Sequence, residues 1–357
     1  VKRFYEWLHT VRNPYGDGLV RVVQPDETGI DHSPVWDEIM NIQDDEHDSW
    51  DRGWHSICDP YDKFNRDPKK MIELNHFVVA DVMTNTIYIE NLHVLADLCQ
   101  QVGDSAGATE YLARAKKART SLDELCWNEE DGLYYGVNGK ENKQLRVNTF
   151  MSLMPLLLPD LDKRKADLLI ARILNPEEYW AEYPIPSTAM NHPTYRPDTV
   201  GGTLVWRGPS WMNSNWYIAR GLKRHGRIDL ARHIANQSIA MVQKSGFREY
   251  YNPQTAFGRG APDFSWSTIL IDLYYYDLKE GNLLKKLEDA LKQHKVKMKP
   301  KTADEVLKQA NEIGCHIITA TQDILNKLNL IGKDLDEYSL ETVAMFFNDA
   351  KNSGFAI

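Results

Sequence analysis

The stretch GFREYYNPQTAFGRG, residues 246–260, is the part of the sequence around which the fold and the candidate site are arranged. It places one carboxylate, Glu249, beside Tyr250 and Tyr251, and a turn rich in glycine leads into a helical pattern at residues 263–270. Aromatic rings stack on sugar rings, and a carboxylate beside them can activate water, so the pattern is typical of a carbohydrate site. Because the same pattern also occurs on solvated surfaces, it requires a partner acid elsewhere in the chain.

A second acidic stretch, PDETGIDHSPVWD at residues 25–37, contains a candidate partner. Glu27 and Asp31 lie just before a helix start that includes Trp36. Where a pocket partly excludes water, such crowding raises the pKa of one acid, which favours a proton donor. A structural alternative stays open, because Ser33 precedes a proline and is a good N-cap for the helix that follows.

A third stretch, LVWRGPSWMNSNWYIARGL at residues 204–222, concentrates aromatic, guanidinium and amide side chains. Its candidate ligand-binding residues are Trp206, Arg207, Trp211, Asn215 and Trp216. Indole rings interleaved with Arg and Asn at a loop-to-helix boundary favour a polyol-binding surface. The alternative is that one of Trp211 and Trp216 is a core aromatic.

The composition argues against several classes of partner. A net charge of −9 is unfavourable for binding nucleic acid or an anionic membrane, and no apolar run approaches membrane-spanning length. The cysteines show neither CxxC nor metal-ligand spacing, which indicates reduced thiols in a cytoplasmic protein; they are Cys58, Cys99, Cys126 and Cys315. We therefore expect no metal, no cofactor, and neither a nucleic-acid nor a membrane partner.

Helical periodicity alternates with loops along most of the chain, with almost no strand pattern. Residues 81–102 and 104–124 predict two amphipathic helices, whereas residues 43–52 and 58–68 are rich in Asp, Asn and Pro and predict long loops. The pattern favours an all-α fold of antiparallel helix pairs, with the three stretches on loops at one face.

Together the three stretches resemble the (α/α)6-barrel, six-hairpin enzymes of glycoside hydrolase family 63, especially the mannosylglycerate and glucosylglycerate hydrolases. The resemblance covers most of residues 1–282 and implies a toroid of antiparallel helix pairs. It also implies an inverting hydrolase for a small α-linked glycoside such as mannosylglycerate or glucosylglycerate. Asp31 matches the general acid in a motif of the type E-S-G-x-D-x-S-P-R-W, and Glu249 matches the general base in G-F-x-E-Y-Y-x-P. Inversion requires roughly 6.5–9.5 Å between the two carboxyl groups.

The resemblance further implies which side chains surround the sugar. These are Glu27, Trp36, Trp206, Arg207, Trp211, Asn215, Trp216, Tyr250 and Tyr251, with Glu27 holding a hydroxyl or tuning Asp31. Three positions depart from the family pattern: Thr28 replaces Ser, His32 replaces Asn, and Val35 replaces Arg.

The family's first helices have no counterpart in this sequence, so we expect an incomplete ring with exposed apolar helix faces. Such faces favour a homo-oligomer. The alternative function is a catalytically impaired sugar-binding remnant.

The C-terminal part of the chain differs in composition. Residues 283–302 are rich in lysine and predict a solvated junction, and residues 303–357 resemble the end of transaldolase-family (β/α)8 barrels. The strand that carries the Schiff-base lysine of those enzymes is absent, so we assign no catalytic residue there. We expect this small α/β segment to be inert alone, as part of a natural fusion or of a chimeric or truncated gene product.

Overall fold

A computed structural model describes residues 1–44, 46–198 and 204–273, without the side chain of Ile271. The lysine-rich junction and the transaldolase-like segment predicted from the sequence lie outside the described residues. All structural statements below concern the described part of the chain.

Helices and helical turns make up more than half of the described structure, as the all-α class predicts. The α-helices are α1 (Lys2–Val11), α2 (Asp37–Met40), α3 (His47–Asp62), α4 (Pro68–Leu74), α5 (Val82–Gln101), α6 (Ser105–Ser121), α7 (Lys163–Ile173), α8 (Met212–Arg224), α9 (Ile228–Ser245) and α10 (Leu270–Asp272). Shorter 3₁₀ turns, including Pro25–Thr28, Pro34–Trp36, Phe150–Leu157 and Ser265–Ile269, link them.

The described strands are two to five residues long and pair antiparallel. They are β1 (Val79–Ala80), β2 (Trp127–Asn128), β3 (Leu133–Tyr134), β4 (Val137–Asn138), β5 (Lys143–Gln144), β6 (Arg248–Tyr251) and β7 (Gly258–Pro262). In the three-stranded sheet, β4 lies between β1 and β5; β2 pairs with β3, and β6 pairs with β7.

Helices α5 and α6 form the hairpin that the sequence predicts. Asp81 caps α5 by accepting the Thr84 amide at 2.7 Å, and Asp104 caps α6 by accepting the Gly107 amide at 2.9 Å. The helices are neighbours because the connection between them is only three residues long. Leu92 of α5 is fully buried.

The predicted loops at residues 43–52 and 58–68 are wrong over much of their length, because α3 occupies residues 47–62. Trp50, Ile57 and Tyr61 recur at helical spacing and are buried, which stabilises the helix through one apolar face. The acidic residues that suggested a loop lie on the solvated face. Pro60 is tolerated within the last turn, and the helix ends two residues later.

Helix α1 exposes large apolar side chains. Phe4 is 57% exposed and stacks on the half-exposed Trp7, with 6.3 Å between ring centroids. On α5, Val94 and Leu98 are also about half exposed. Exposed apolar faces are consistent with association, but the homo-oligomer stays a prediction.

Candidate active site

The segment that precedes α8, residues 204–211, contacts the stretch at residues 25–37, which carries Asp31, and the stretch at residues 246–260, which carries Glu249. The Val205 amide donates to His32 Nδ1 at 3.3 Å, and Arg207 Nε donates to the His32 carbonyl at 3.2 Å. The Ser210 amide donates to the Tyr251 carbonyl at 2.8 Å, and the Tyr251 amide returns a bond to the Ser210 carbonyl at 2.9 Å. Two stretches that are remote in sequence are thereby attached to one short connection.

Asp31 lies between two 3₁₀ turns, with its backbone fixed and its carboxylate accessible. Its carbonyl accepts the indole N–H of Trp50 at 3.0 Å. Its side chain is 32% exposed, and Oδ2 lies 3.4 Å from His32 Nε2. A carboxyl group on a fixed backbone with one third of its surface open can reach a bound molecule.

Glu27 supports the turn that precedes Asp31. Its two oxygens accept a bidentate pair of bonds from Arg12, at 2.9 and 2.5 Å, and Oε2 also accepts the Val23 amide at 2.8 Å. Bidentate carboxylate–guanidinium pairs hold geometry well. These contacts favour a structural role for Glu27 over the predicted contact with a substrate hydroxyl.

Glu249 lies within β6, so its predicted position on a loop between helices is wrong. Strands β6 and β7 form an antiparallel hairpin whose register shifts between Arg248 and Tyr250, and this irregularity places Glu249 at a bulge. Bulges often redirect a side chain next to an active site. The proline and glycines of the quoted stretch therefore mark a hairpin turn and its return strand.

Gly260 on β7 makes room for the Glu249 carboxylate. The Ala261 amide donates to Glu249 Oε2 at 3.0 Å. Gly260 has φ +66°, and a Cβ at this position would overlap the same Oε2. A glycine is thus required here both for the positive φ and for the close approach of the carboxylate.

An aromatic stack joins the segment before α8 to the hairpin. Trp206 and Trp211 lie nearly parallel, with ring centroids 3.7 Å apart and an interplanar angle of 9°. Trp211 also contacts Tyr250, at 4.7 Å between centroids, and Phe150 packs against Trp206 at 5.9 Å. The stack is buried and supports the strand that carries Glu249.

Trp266 extends this stack to the surface, and the sequence analysis missed it. Its ring centroid is 5.9 Å from that of Trp211 and 5.5 Å from that of Phe264, and the residue is 41% exposed. An exposed indole beside a buried aromatic stack is suited to stacking on a sugar ring. In the sequence, the signal for this residue is its position just after the glycine-rich turn, within the helical pattern predicted at residues 263–270.

Most of the predicted sugar-contacting side chains are buried in this structure. Those at most 2% exposed are Trp36, Trp206, Arg207, Trp211, Asn215 and Tyr251. Tyr250 is also buried, and Trp216 is half-buried with its indole N–H donated to Asp272 at 2.8 Å. In this structure the buried side chains offer almost no surface to a ligand.

Arg207 and Asn215 show why such residues are buried. Arg207 donates two bonds to Asp37, at 2.8 and 2.5 Å; burial raises the pKa of Asp37, and the bonds from Arg207 oppose that shift. Asn215 accepts the Ile185 amide at 2.9 Å and donates to the Pro184 carbonyl at 3.0 Å and to Ser238 Oγ at 2.9 Å. Irregular buried backbone needs such partners, because unpaired N–H and C=O groups are costly.

Trp36 and Tyr251 likewise serve the backbone. The Trp36 indole donates to the Ile30 carbonyl at 2.7 Å, directly before Asp31. The Tyr251 hydroxyl donates to the Gly246 carbonyl and accepts the Arg248 amide, both at 2.8 Å, and burial raises its pKa to about 12. Both side chains hold a segment that carries one of the two acids.

The described residues contain neither a metal-binding cluster nor a membrane-spanning helix. No group of three or more His, Cys, Asp or Glu side chains there is arranged to hold a metal ion. None of the helices in these ranges is both long and apolar enough to cross a membrane.

Comparisons with known proteins agree on one family. The model of the mannosylglycerate hydrolase MGH1-like glycoside hydrolase domain matches residues 1–267. The mannosylglycerate hydrolase of Thermus thermophilus is 30% identical and aligns with 75% of this chain and 67% of its own length. The mannosylglycerate hydrolase of Rubrobacter radiotolerans is 29% identical, over 75% of this chain and 64% of its own.

Solved structures give the same result. A glycoside hydrolase family 63 mannosylglycerate hydrolase of Thermus thermophilus, solved in complex with glucose, superposes with a TM-score of 0.66 at 30% identity. The alignment covers 76% of this chain and 66% of that one, so the chain spans about two thirds of the length of these relatives. The helical fold matches these (α/α)6 relatives, which confirms the predicted fold class.

Proposed function

The chain belongs to the mannosylglycerate hydrolase MGH1-like family of glycoside hydrolases, and on that premise we propose that it hydrolyses a small α-linked glycoside with inversion. Mannosylglycerate and glucosylglycerate are the proposed substrates. The observation that supports this proposal most strongly is the family match over residues 1–267, which includes Asp31 and Glu249. Their attachment to one segment through Val205 and Ser210 supports a shared site.

In the proposed reaction, Asp31 begins protonated and Glu249 begins ionised. Glu249 takes a proton from water as the water oxygen bonds to the anomeric carbon. The bond from that carbon to the leaving oxygen breaks on the opposite face, and Asp31 gives its proton to that oxygen. The products are a free sugar of inverted configuration and an alcohol such as glycerate.

The surroundings of each acid support its role. The accessible carboxyl of Asp31 is suited to reach a leaving group, while its backbone is held by Trp50. The Ala261 amide orients Glu249 through one carboxylate oxygen, and a carboxylate held in this way can present its other oxygen to water. Trp266 is the proposed stacking surface for the sugar.

Incubation of the purified protein with mannosylglycerate and with glucosylglycerate tests this function. We expect release of hexose and glycerate from at least one of the two. Equal release by the wild type and by a variant carrying both Asp31→Asn and Glu249→Gln would contradict the proposal, because that variant lacks both acids.

A sugar-binding protein without turnover is the second candidate. It is favoured by the exposed indole of Trp266, which can stack on a sugar ring without any proton transfer. Calorimetric binding of mannosylglycerate without release of hexose would support this candidate against the hydrolase.

The role of Gly260 gives a prediction for catalysis. In Gly260→Ala the new Cβ meets Glu249 Oε2, Glu249 Cβ and the Tyr250 ring, so the carboxylate and the strand that carries it must move away from the Ala261 amide. We expect kcat to fall roughly ten- to hundredfold, since small displacements of a catalytic group have effects of that size. Steady-state kinetics on the glycoside that the wild type hydrolyses measure the effect.

Gly226→Ala is the matched control. Gly226 has φ +77°, but a Cβ there meets no atom within 4 Å. Both variants carry the same kind of backbone strain, so both should unfold at somewhat lower temperature, and only Gly260→Ala should lose kcat. Equal kcat losses in the two variants would contradict a specific role of Gly260 in positioning Glu249.

A further inference from the structure

His32 follows Asp31 directly and stands where the resembling family commonly has Asn. Its ring and its backbone are both attached to the segment before α8, through the Val205 amide on Nδ1 and through Arg207 on the carbonyl. Its side chain is 13% exposed. The imidazole is therefore a fixed group beside the proposed proton donor.

The contact with Val205 selects the tautomer of His32. An amide N–H can only donate, so Nδ1 must accept with its lone pair. The neutral imidazole then carries its proton on Nε2, which lies 3.4 Å from Asp31 Oδ2. The nitrogen that carries the proton thus lies next to the carboxyl group, at a separation slightly longer than an ordinary hydrogen bond.

An edge-to-face contact holds the ring in this orientation. The centroids of His32 and Trp50 are 4.7 Å apart, with an interplanar angle of 76°. Because the Trp50 indole also donates to the Asp31 carbonyl, one side chain orients both partners.

Charged and titratable groups face His32 from several elements. Burial, the largest effect, lowers the pKa of His32; His47 of α3 and Arg207 lower it further, while Asp31 and Asp26 of the preceding loop raise it. Since the net direction is downward from an ordinary value near 6.5, the ring is neutral at neutral pH.

We propose that His32 is a positioning residue that donates its Nε2–H to the Asp31 carboxylate formed when the proton leaves for the substrate. The inference rests on the proposed role of Asp31 as the general acid. A donor to the ionised form stabilises the carboxylate that is left when the proton passes to the leaving group. The same contact fixes the carboxyl orientation in which the proton is delivered.

NMR of the ¹⁵N-labelled imidazole rings tests the contact without requiring activity. In the wild type we expect His32 to be the Nε2-protonated tautomer at neutral pH. An Nδ1-protonated tautomer would overturn the proposal even if the enzyme were fully active.

Substrates with different leaving groups test the consequence for catalysis. His32→Asn keeps an N–H donor, so kcat should stay within about threefold of wild type. His32→Leu has no donor, so its kcat on mannosylglycerate or glucosylglycerate should fall roughly ten- to hundredfold. On an aryl glycoside with an acidic phenol, which needs little protonation, the same variant should stay close to the wild type.

His76→Leu, at an exposed position on a different segment, controls for the change of residue type and should leave the rates on both substrates unchanged. Equal losses by His32→Leu on the two substrates would indicate a merely structural role and overturn the proposal.

Discussion

Glu249→Gln is expected to lower kcat by roughly 10³- to 10⁴-fold. Glutamine matches the size of glutamate, and its amide oxygen can still accept the Ala261 N–H, so the hairpin should stay intact. The amide cannot take a proton from the attacking water, and the water is then a poor nucleophile. Steady-state kinetics on the glycoside that the wild type hydrolyses measure the loss.

Glu177→Gln is the matched control, because Glu177 is an exposed glutamate outside the candidate site. Its kcat should equal that of the wild type. A Glu249→Gln variant that folds normally and keeps more than about a tenth of the wild-type kcat would show that another group activates the water.

Asp31→Asn is expected to lower kcat on mannosylglycerate or glucosylglycerate by roughly 10²- to 10⁴-fold. The reason is that the leaving alkoxide of glycerate is strongly basic and needs a proton as the bond breaks. An aryl glycoside with an acidic phenol as leaving group needs little protonation, so on such a substrate the same variant should lose less than about tenfold. Comparison of the two substrates isolates the proton-donor role.

Two comparisons complete the test of Asp31. Glu249→Gln should lose activity on both substrates, because every leaving group still requires an activated water. Asp48→Asn, an exposed residue of α3, should change neither rate. Equal losses by Asp31→Asn on the natural and the aryl substrate would contradict the assignment of the general acid.

Helix pairs were predictable from the sequence because their signals are local. In α5 and α6, apolar periodicity, the caps Asp81 and Asp104, and a short connection all agree with one another. In α3, acidic residues and Pro60 obscured an apolar face that only tertiary packing stabilises. The strand position of Glu249 was missed because a bulged hairpin has no clear two-residue period.

The three motifs lie in stretches that the structure joins by hydrogen bonds, whereas residue type alone does not show which of their side chains are buried. Arg207, Asn215 and Trp36 have the chemistry of sugar-binding groups, yet each satisfies buried backbone or a buried charge beside the acids. Trp266 has the exposure that a stacking ring needs, and exposure is not readable from a single sequence. The fold therefore decides which aromatic side chains remain available.

The anomeric configuration of the sugar at the moment of release tests the central claim most directly. If Asp31 and Glu249 act on opposite faces of the anomeric carbon, an α-linked substrate must release the β-anomer first, and the α-anomer should appear only later by mutarotation. Proton NMR of the first turnovers, at enzyme concentrations high enough to outpace mutarotation, distinguishes the two. Initial release of the β-sugar is the predicted result, and initial release of the α-sugar would contradict it.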